Sequence, residues 1–195
     1  MARPGPRGRG QSEAALAVRS DRRRLLATLV LVGVLLAAVI DDRHAGQVAD
    51  GRQMIRTAVA MVEGGTIGLA RDTDFTLPRP AGDAVSRFGM GTSLLQLPAA
   101  WLAPAVEARF GPTSSQCLFL LVPFATVLAA AWAAGRLALQ LGGSPLAGRW
   151  AVLLASLGSP LASYAAMEFS EPVQAAALTG TLALAVAAAQ ASSPA

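Results

Sequence analysis

The feature that most constrains this chain is a set of long apolar runs. The clearest occupies residues 116–135 and contains no charged residue. A run of about 20 apolar residues is long enough to cross a bilayer as a helix. Three further runs lie at residues 25–40, 146–164 (bent at Pro160) and 172–190. Charged residues make up 14% of the chain, well below the roughly 25% of soluble domains. The sequence therefore predicts an all-α, polytopic transmembrane helical protein with about four spans.

The tail at residues 1–24 determines the predicted orientation. All sixteen basic residues of the chain are arginines, and seven of them lie in this tail. Its low apolar content predicts disorder, and the positive-inside rule assigns it to the cytoplasm. Residues 25–40 are then interpreted as an uncleaved signal anchor, with a cleaved signal peptide as the alternative. Because the basic cluster adjoins a span, the net charge of +4 does not indicate a nucleic-acid partner.

With the tail in the cytoplasm, successive spans alternate in direction. Residues 41–115 and the turn 165–171 then share the extracytoplasmic side, and the arginine-flanked turn 136–149 faces the cytoplasm. This predicts a multi-pass protein of the cell membrane. The topology requires that residues 92–110 do not cross. Their prolines and charges favour a helix lying in the interface, and if this segment crosses, the two outer segments no longer share one side.

The first extracytoplasmic loop, residues 41–115, holds eight of the twelve acidic residues and seven arginines. Residues 50–64 predict an amphipathic helix that ends at the following glycine. Its predicted apolar face consists of Met54, Ile55, Ala58, Val59 and Val62. Residues 70–91 predict a loop without periodicity. Since this is the largest polar segment next to the spans, we expect any chemistry to be located here.

Asp50 stands at the predicted start of that helix. In a catalytic interpretation it is a general base that takes a proton from an acceptor hydroxyl. In a structural interpretation it is an N-cap residue that forms a capping box with Gln53, three residues later. The two roles are compatible, and the sequence leaves both open.

Three arginines of the loop are candidates for binding a lipid phosphate. Arg52 and Arg56 are one helical turn apart on one face, and a guanidinium group matches phosphate geometry. Arg87 precedes Phe88-Gly89-Met90-Gly91, so glycine backbone and guanidinium could approach an anion together. The alternatives are a solvated or headgroup-facing stripe for the first two and a chance surface arginine for Arg87.

Glu168 and Glu171 lie between the third and fourth predicted spans. Ionisable groups at a span boundary are costly unless they are solvated or have a function. For Glu171 the structural alternative is that Ser170 caps the fourth span and the carboxylate favours the helix dipole.

Metal and thiol chemistry have little support in the sequence. The single histidine, His44, has no cysteine partners for a standard zinc site, so no metal is predicted and the cofactor stays unknown. Cys117 lies in an apolar run and predicts a small buried hydrophobic residue.

Three segments resemble the N-terminal part of GT-C class glycosyltransferases, in particular the bacterial branch similar to dolichyl-phosphate-mannose–protein mannosyltransferases. They are ADGRQMIRTA at residues 49–58, RFGMGTSLLQLP at 87–98 and GSPLASYAAMEFSEP at 158–172. The resemblance implies a polyprenyl-phosphate-linked sugar donor, a hydroxyl acceptor on the extracytoplasmic face and inversion of the sugar. It also implies that Asp50 is the catalytic base, with Glu171 first and Glu168 second as further active-site residues.

The chain departs from that family in two respects. Many of its members have two adjacent acidic residues at the first-loop site, whereas here Asp50 is followed by Gly51. They also have many more than four spans, so we expect this chain, which ends at residues 191–195 without a cytoplasmic domain, to be a truncated form.

A non-catalytic membrane scaffold or subunit is the main alternative function. Small residues at 129–135 and 175–189 suit close packing against partner membrane helices. A transporter is a weaker alternative, because the sequence has no visible inverted repeat and no charge in the middle of a span.

Overall fold

The computed structural model describes residues 7–39, 49–69, 76–80, 82–87, 90–167 and 169–192, and this part is mostly helical. The helices are α1 (Arg7–Val39), α2 (Ala49–Gly64), α3 (Met90–Leu95), α4 (Leu97–Phe110), α5 (Pro112–Gln140), α6 (Pro145–Ser156), α7 (Leu161–Tyr164) and α8 (Glu171–Ser192). The strands are β1 (Thr76–Pro78) and β2 (Ala84–Ser86). The predicted helical class is therefore correct, with one short β-ribbon as an exception.

Two helices, α5 and α8, are long and apolar enough to cross a membrane. The mean hydropathy of their most apolar 18-residue windows is 2.2 and 1.5. Only 11% of the window in α8 is buried inside the protein, whereas the core helix of a soluble domain would be buried on its apolar side. Outside its contact with α5, the surface of α8 is thus apolar and uncovered, as expected for a helix in contact with lipid.

Neither of the other two predicted spans lies in a helix that meets both criteria. Residues 25–39 belong to α1, which has 33 residues but is not among the helices that are also apolar enough. Helix α6 has 12 residues, about 18 Å at 1.5 Å per residue, against a hydrocarbon layer of roughly 30 Å. The chain leaves the helix after Ser156 and forms α7 only from Leu161. The four-span topology therefore stays a prediction for residues 25–40 and 146–164.

Helix α1 begins at Arg7, well before the predicted span. Residues 7–24 of the tail are thus helical, while residues 1–6 lie outside the described residues, and the disorder predicted for residues 1–24 stays a prediction. Alanine and arginine have high helix propensity. Extending an existing helix also costs far less than starting a new one, so the apolar part of α1 can act as the nucleus for the basic part.

Helices α1 and α5 run antiparallel. Gly135 of α5 faces Leu25, near the start of the apolar part of α1. Eight residues further along α1, Gly33 faces Phe124 and Leu128, which come earlier in α5. The C-terminal end of α1 therefore lies near the N-terminal end of α5. Their shared core also includes α6 and contains Val32, Leu36, Val127, Ala131 and Val152.

Helix α8 packs along α5 in the same direction. The Gln190 side-chain amide donates a hydrogen bond of 2.6 Å to the backbone carbonyl of Gln140, so both helices end at the same level. Glu171 starts α8 nineteen residues before Gln190, about 28 Å away along the helix axis. The start of α8 consequently lies towards the N-terminal half of α5.

Helix α2 confirms the predicted amphipathic segment. Met54 and Ala58 are 1% and 0% exposed, and the α2 face packs against Ala99 and Ala100 of α4 and Phe119 of α5. Gly65 follows the helix with a φ of 60°, a left-handed conformation that glycine adopts without strain. Because Phe119 belongs to the N-terminal part of α5, α2 lies at that end of the helix bundle.

The predicted loop at residues 70–91 contains a β-ribbon. Strands β1 and β2 pair antiparallel, with Thr76 opposite Ser86. An ion pair of 3.2 Å between Arg79 Nη1 and Asp83 Oδ2 stabilises the connecting turn. Gly82 in this turn has a positive φ of 92°, which glycine adopts without strain. Strands of three residues are too short to show a periodic pattern, which is why the sequence did not predict them.

Residues 92–110 form parts of two helices instead of one. Helices α3 and α4 are separated at Gln96, and the 14 residues of α4 extend only about 21 Å, too short to cross a bilayer on their own. Trp101 is 71% exposed. Location in the membrane interface stays a prediction for this segment.

Cys117 corrects another expectation, because its side chain on α5 is exposed. A residue within an apolar run is expected to be buried only if the protein surface is in contact with water, because a surface in contact with lipid can also be apolar. In the candidate span of α5, 39% of the window is buried, so an apolar neighbourhood does not identify the side that packs on protein.

Gln96 provides a stability prediction. It is 0% exposed, and neither Nε2 nor Oε1 of its amide has a hydrogen-bond partner in the described part of the chain. An unpaired buried amide costs about 1–3 kcal/mol. We expect Gln96→Met, which keeps the length of the side chain, to raise the free energy of unfolding by about 1 kcal/mol, measured by thermal unfolding in detergent. The control Gln116→Met, at an exposed position of α5, should change little, and a destabilised Gln96→Met variant would contradict the prediction.

Candidate functional site

Asp50 lies in the first turn of α2, one residue after the helix begins, and is partly buried. It is therefore inside the helix and not at the predicted N-cap position. Its carboxylate is favoured there by the partial positive charge of the helix N-terminus. Gln53, the proposed partner in a capping box, is only 2% exposed, so it belongs to the inner face of α2.

Arg52 and Arg56 are both exposed on α2. They lie on one face of the helix, and this face is opposite the buried Met54 and Ala58. This geometry is compatible with phosphate binding and equally with a headgroup-facing stripe, and both interpretations stay open.

Arg87 is exposed and follows β2 directly. The next two residues lie outside the described residues, and α3 begins at Met90. Both β2 and α3 pack against α2. Arg87 is thus located between two elements that contact the helix of Asp50.

Glu171 lies in the first turn of α8 and is exposed. The backbone carbonyl of Ser170 accepts a hydrogen bond of 3.0 Å from the Gln174 N–H, while the Ser170 hydroxyl accepts one of 3.2 Å from the Gln174 side chain. Ser170 therefore starts the helix, as the structural alternative required, but its hydroxyl bonds a side chain. Glu168 lies outside the described residues.

Helix directions bring the described site residues on α2, on α8 and after β2 to one end of the bundle. Helix α2 lies near the N-terminal end of α5 because Ala58 packs in the cluster of Phe119. Glu171 lies towards the same end because α8 runs parallel to α5 and its far end bonds Gln140. Carboxylates on α2 and α8 and an arginine after β2 thus share one end. No hydrogen bond or ion pair joins Asp50 to Glu171 among the described residues.

A group of buried polar side chains on α2 and on the elements packed against it was not predicted. Each is at most 3% exposed, and they lie on α2, on α3 and at the α3–α4 junction: Gln53, Thr57, Thr92, Ser93 and Gln96. The Thr57 hydroxyl donates a hydrogen bond of 2.8 Å to the backbone carbonyl oxygen of Gln53. One signal was available in the sequence, since Gln53 and Thr57 are spaced i, i+4 on the side of the helix that also carries Met54.

The chemistry available at this end is that of a carboxylate and guanidinium groups. Among the described residues, no group of three or more His, Cys, Asp or Glu side chains is arranged to hold a metal ion. A partly buried carboxylate can accept a proton, and exposed arginines can bind a phosphate or another anion.

Comparisons with known proteins do not identify a family for this chain. No protein-family model matches the chain, and neither the curated proteins nor the solved structures contain a match.

Proposed function

We propose that this chain is a membrane glycosyltransferase, or the N-terminal part of one. It transfers a sugar from a polyprenyl-phosphate carrier to a hydroxyl acceptor on the extracytoplasmic face. Asp50 is the general base, Arg87 or Arg52 binds the leaving phosphate with Arg56 nearby, and Glu171 and Glu168 complete the active site.

The proposed reaction is a single displacement at C1 of the sugar. The acceptor oxygen forms a bond to C1 while the bond between C1 and the phosphate oxygen breaks, and this inverts the configuration. The proton of the acceptor hydroxyl passes to the Asp50 carboxylate. The electron pair of the broken bond leaves with the lipid phosphate, whose charge a guanidinium group stabilises.

The proposal rests on one observation, the position of α2 and the start of α8 relative to α5. Asp50 and Glu171 are 121 positions apart in the sequence, yet α2 and the start of α8 lie towards the same end of α5. A shared pocket requires this arrangement. The exposed apolar surfaces of α5 and α8 support the membrane setting in which a lipid-linked donor is available.

A non-catalytic scaffold or subunit is the second candidate, and the surface of α8 favours it. Its large apolar side chains Leu178, Leu182 and Leu184 are 64%, 48% and 74% exposed. They alternate with small residues that permit close helix packing. Such a surface suits either lipid or partner membrane helices, so an activity assay has to distinguish the two functions.

The topology is tested by cysteine accessibility. Single cysteines are placed at positions 50 and 171 in a Cys117→Ser background, with a third at Leu141, which is exposed beyond the opposite end of α5. We expect a membrane-impermeant maleimide added outside intact cells to label positions 50 and 171 but not position 141. Labelling of 50 and 171 from opposite sides would exclude a shared active site.

A further inference from the structure

A cavity of about 270 Å³ lies at the other end of the bundle, where α1, α5 and α6 meet. It is distant from the proposed transferase site, because its lining on α5 comes from Arg136, Leu139 and Gln140 at the C-terminal end, whereas α2 packs in the cluster of Phe119 at the N-terminal end. Its lining includes Arg22 of α1 and Arg136 of α5, together with the carboxylate of Asp21. The cavity is not used by the proposed reaction.

Two arginines from different helices converge on this cavity. Arg136 is the only charged residue of α5, and Arg22 begins the arginine triplet that precedes the apolar part of α1. In the described part of the chain, no ion pair with Asp21 neutralises either guanidinium. Arg23 and Arg24 follow on α1, so this end of the bundle carries an excess of positive charge.

The register between α1 and α5 fixes the depth of the two arginines. Leu25 lies against Gly135, so Arg22 and Arg136 are both within one helical turn of the same contact. On both helices this level is where the apolar segment ends and charge begins. In a helix that crosses a bilayer, this is the depth of the lipid phosphates, where arginines are favoured.

The other lining residues suit a small anion with an apolar attachment. Leu139 and Pro145 form apolar walls. Gln140 contributes an amide whose Oε1 is buried without a partner among the described residues. Rotation of that amide by 180° would present its NH₂ group as a donor. The volume is just below the roughly 300–1,000 Å³ typical of pockets for drug-sized ligands.

We propose that this cavity is a phosphate-binding site in which Arg22 and Arg136 hold the anion. The ligand is either the phosphodiester of an anionic phospholipid headgroup or a free phosphate. Paired guanidinium groups supply the charge-assisted donors that a phosphate accepts. Asp21 weakens binding by like-charge repulsion and limits the site to weak or moderate affinity.

The test uses the full chain purified in detergent. Native mass spectrometry counts bound phosphatidylglycerol, with phosphatidylcholine as the zwitterionic comparison, and phosphorus NMR follows titration with inorganic phosphate. We expect binding of phosphatidylglycerol to fall by about fivefold for each arginine replaced by glutamine, so that Arg22→Gln/Arg136→Gln loses most of it. Arg109→Gln, an exposed arginine on α4 at the opposite end of α5, should bind as the unmodified chain does.

A variant that is expected to bind more tightly distinguishes a direct effect on the site from misfolding. Asp21→Asn removes the opposing carboxylate from the lining and should strengthen binding about two- to fivefold, which misfolding cannot produce. Binding of phosphatidylglycerol alone identifies a lipid headgroup, and binding of inorganic phosphate as well identifies a free-phosphate site. The proposal is overturned if neither ligand binds, or if Arg109→Gln weakens binding as much as the double variant does.

Discussion

Replacing Asp50 with asparagine is expected to abolish sugar transfer while insertion and folding of the chain stay normal. Asparagine has nearly the same shape as aspartate but cannot take up the proton of the acceptor hydroxyl. A positioned general base contributes about 10²–10⁴-fold to a rate, so we expect a loss of at least about a hundredfold. The measurement is transfer of radiolabelled mannose from polyprenyl phosphate to an acceptor in membranes that contain the protein.

The structure offers a matched control on the same helix. Glu63 is exposed near the C-terminal end of α2, away from the turn that carries Asp50, and Glu63→Gln removes the same charge. Transfer should be unchanged in this variant. If Asp50→Asn retains the rate of the unmodified protein, Asp50 has no part in the mechanism. If the unmodified chain transfers no sugar from either polyprenyl-phosphate mannose or glucose, the scaffold function is favoured.

The local elements of the site could be predicted from the sequence because each leaves a periodic or conformational signal. The spacing of Met54, Ala58 and Val62 identifies the inner face of α2, and Gly65 marks its end. Arg52 and Arg56 are assigned to the outer face by the same spacing. These features depend on only a few neighbouring residues, so tertiary contacts have little influence on them.

Elements that depend on non-local packing could not be predicted in the same way. The run at residues 146–164 is as apolar as a span, but Gly158 and Pro160 divide it into α6 and the single turn α7. The ribbon of β1 and β2 is stabilised by a turn, not by alternation of apolar residues. Burial of Thr92 and Ser93 depends on α2 packing over α3, and no pattern within α3 signals that contact.

Whether Asp50 and Glu171 lie on the same side of the membrane could be predicted only from the assumed topology. Motifs identified Asp50 and Glu171 separately, and only the count of spans suggested that they share a side. In the structure, two contacts determine the relative directions of the helices: Gly135 with Leu25 for α5 and α1, and Gln190 with Gln140 for α8 and α5. Since the first of these contacts fixes α1 against α5 and α6, its loss should have a large effect.

Replacing Gly135 with valine is expected to destabilise the bundle by about 3 kcal/mol. A Cβ atom at this position would lie 2.7 Å from Val152 Cγ2, 3.0 Å from Leu25 Cδ1 and 3.1 Å from the carbonyl oxygen of Gly148. The first two atoms belong to side chains that could shift. The third is backbone, so the added γ-carbons force α5 and α6 apart. Unfolding by a denaturing detergent, followed by circular dichroism, measures the change, and Gly180→Val is the control because a Cβ there meets nothing within 4 Å. Equal stability of the two variants would show that the close contact of α1, α5 and α6 at Gly135 does not hold these helices together.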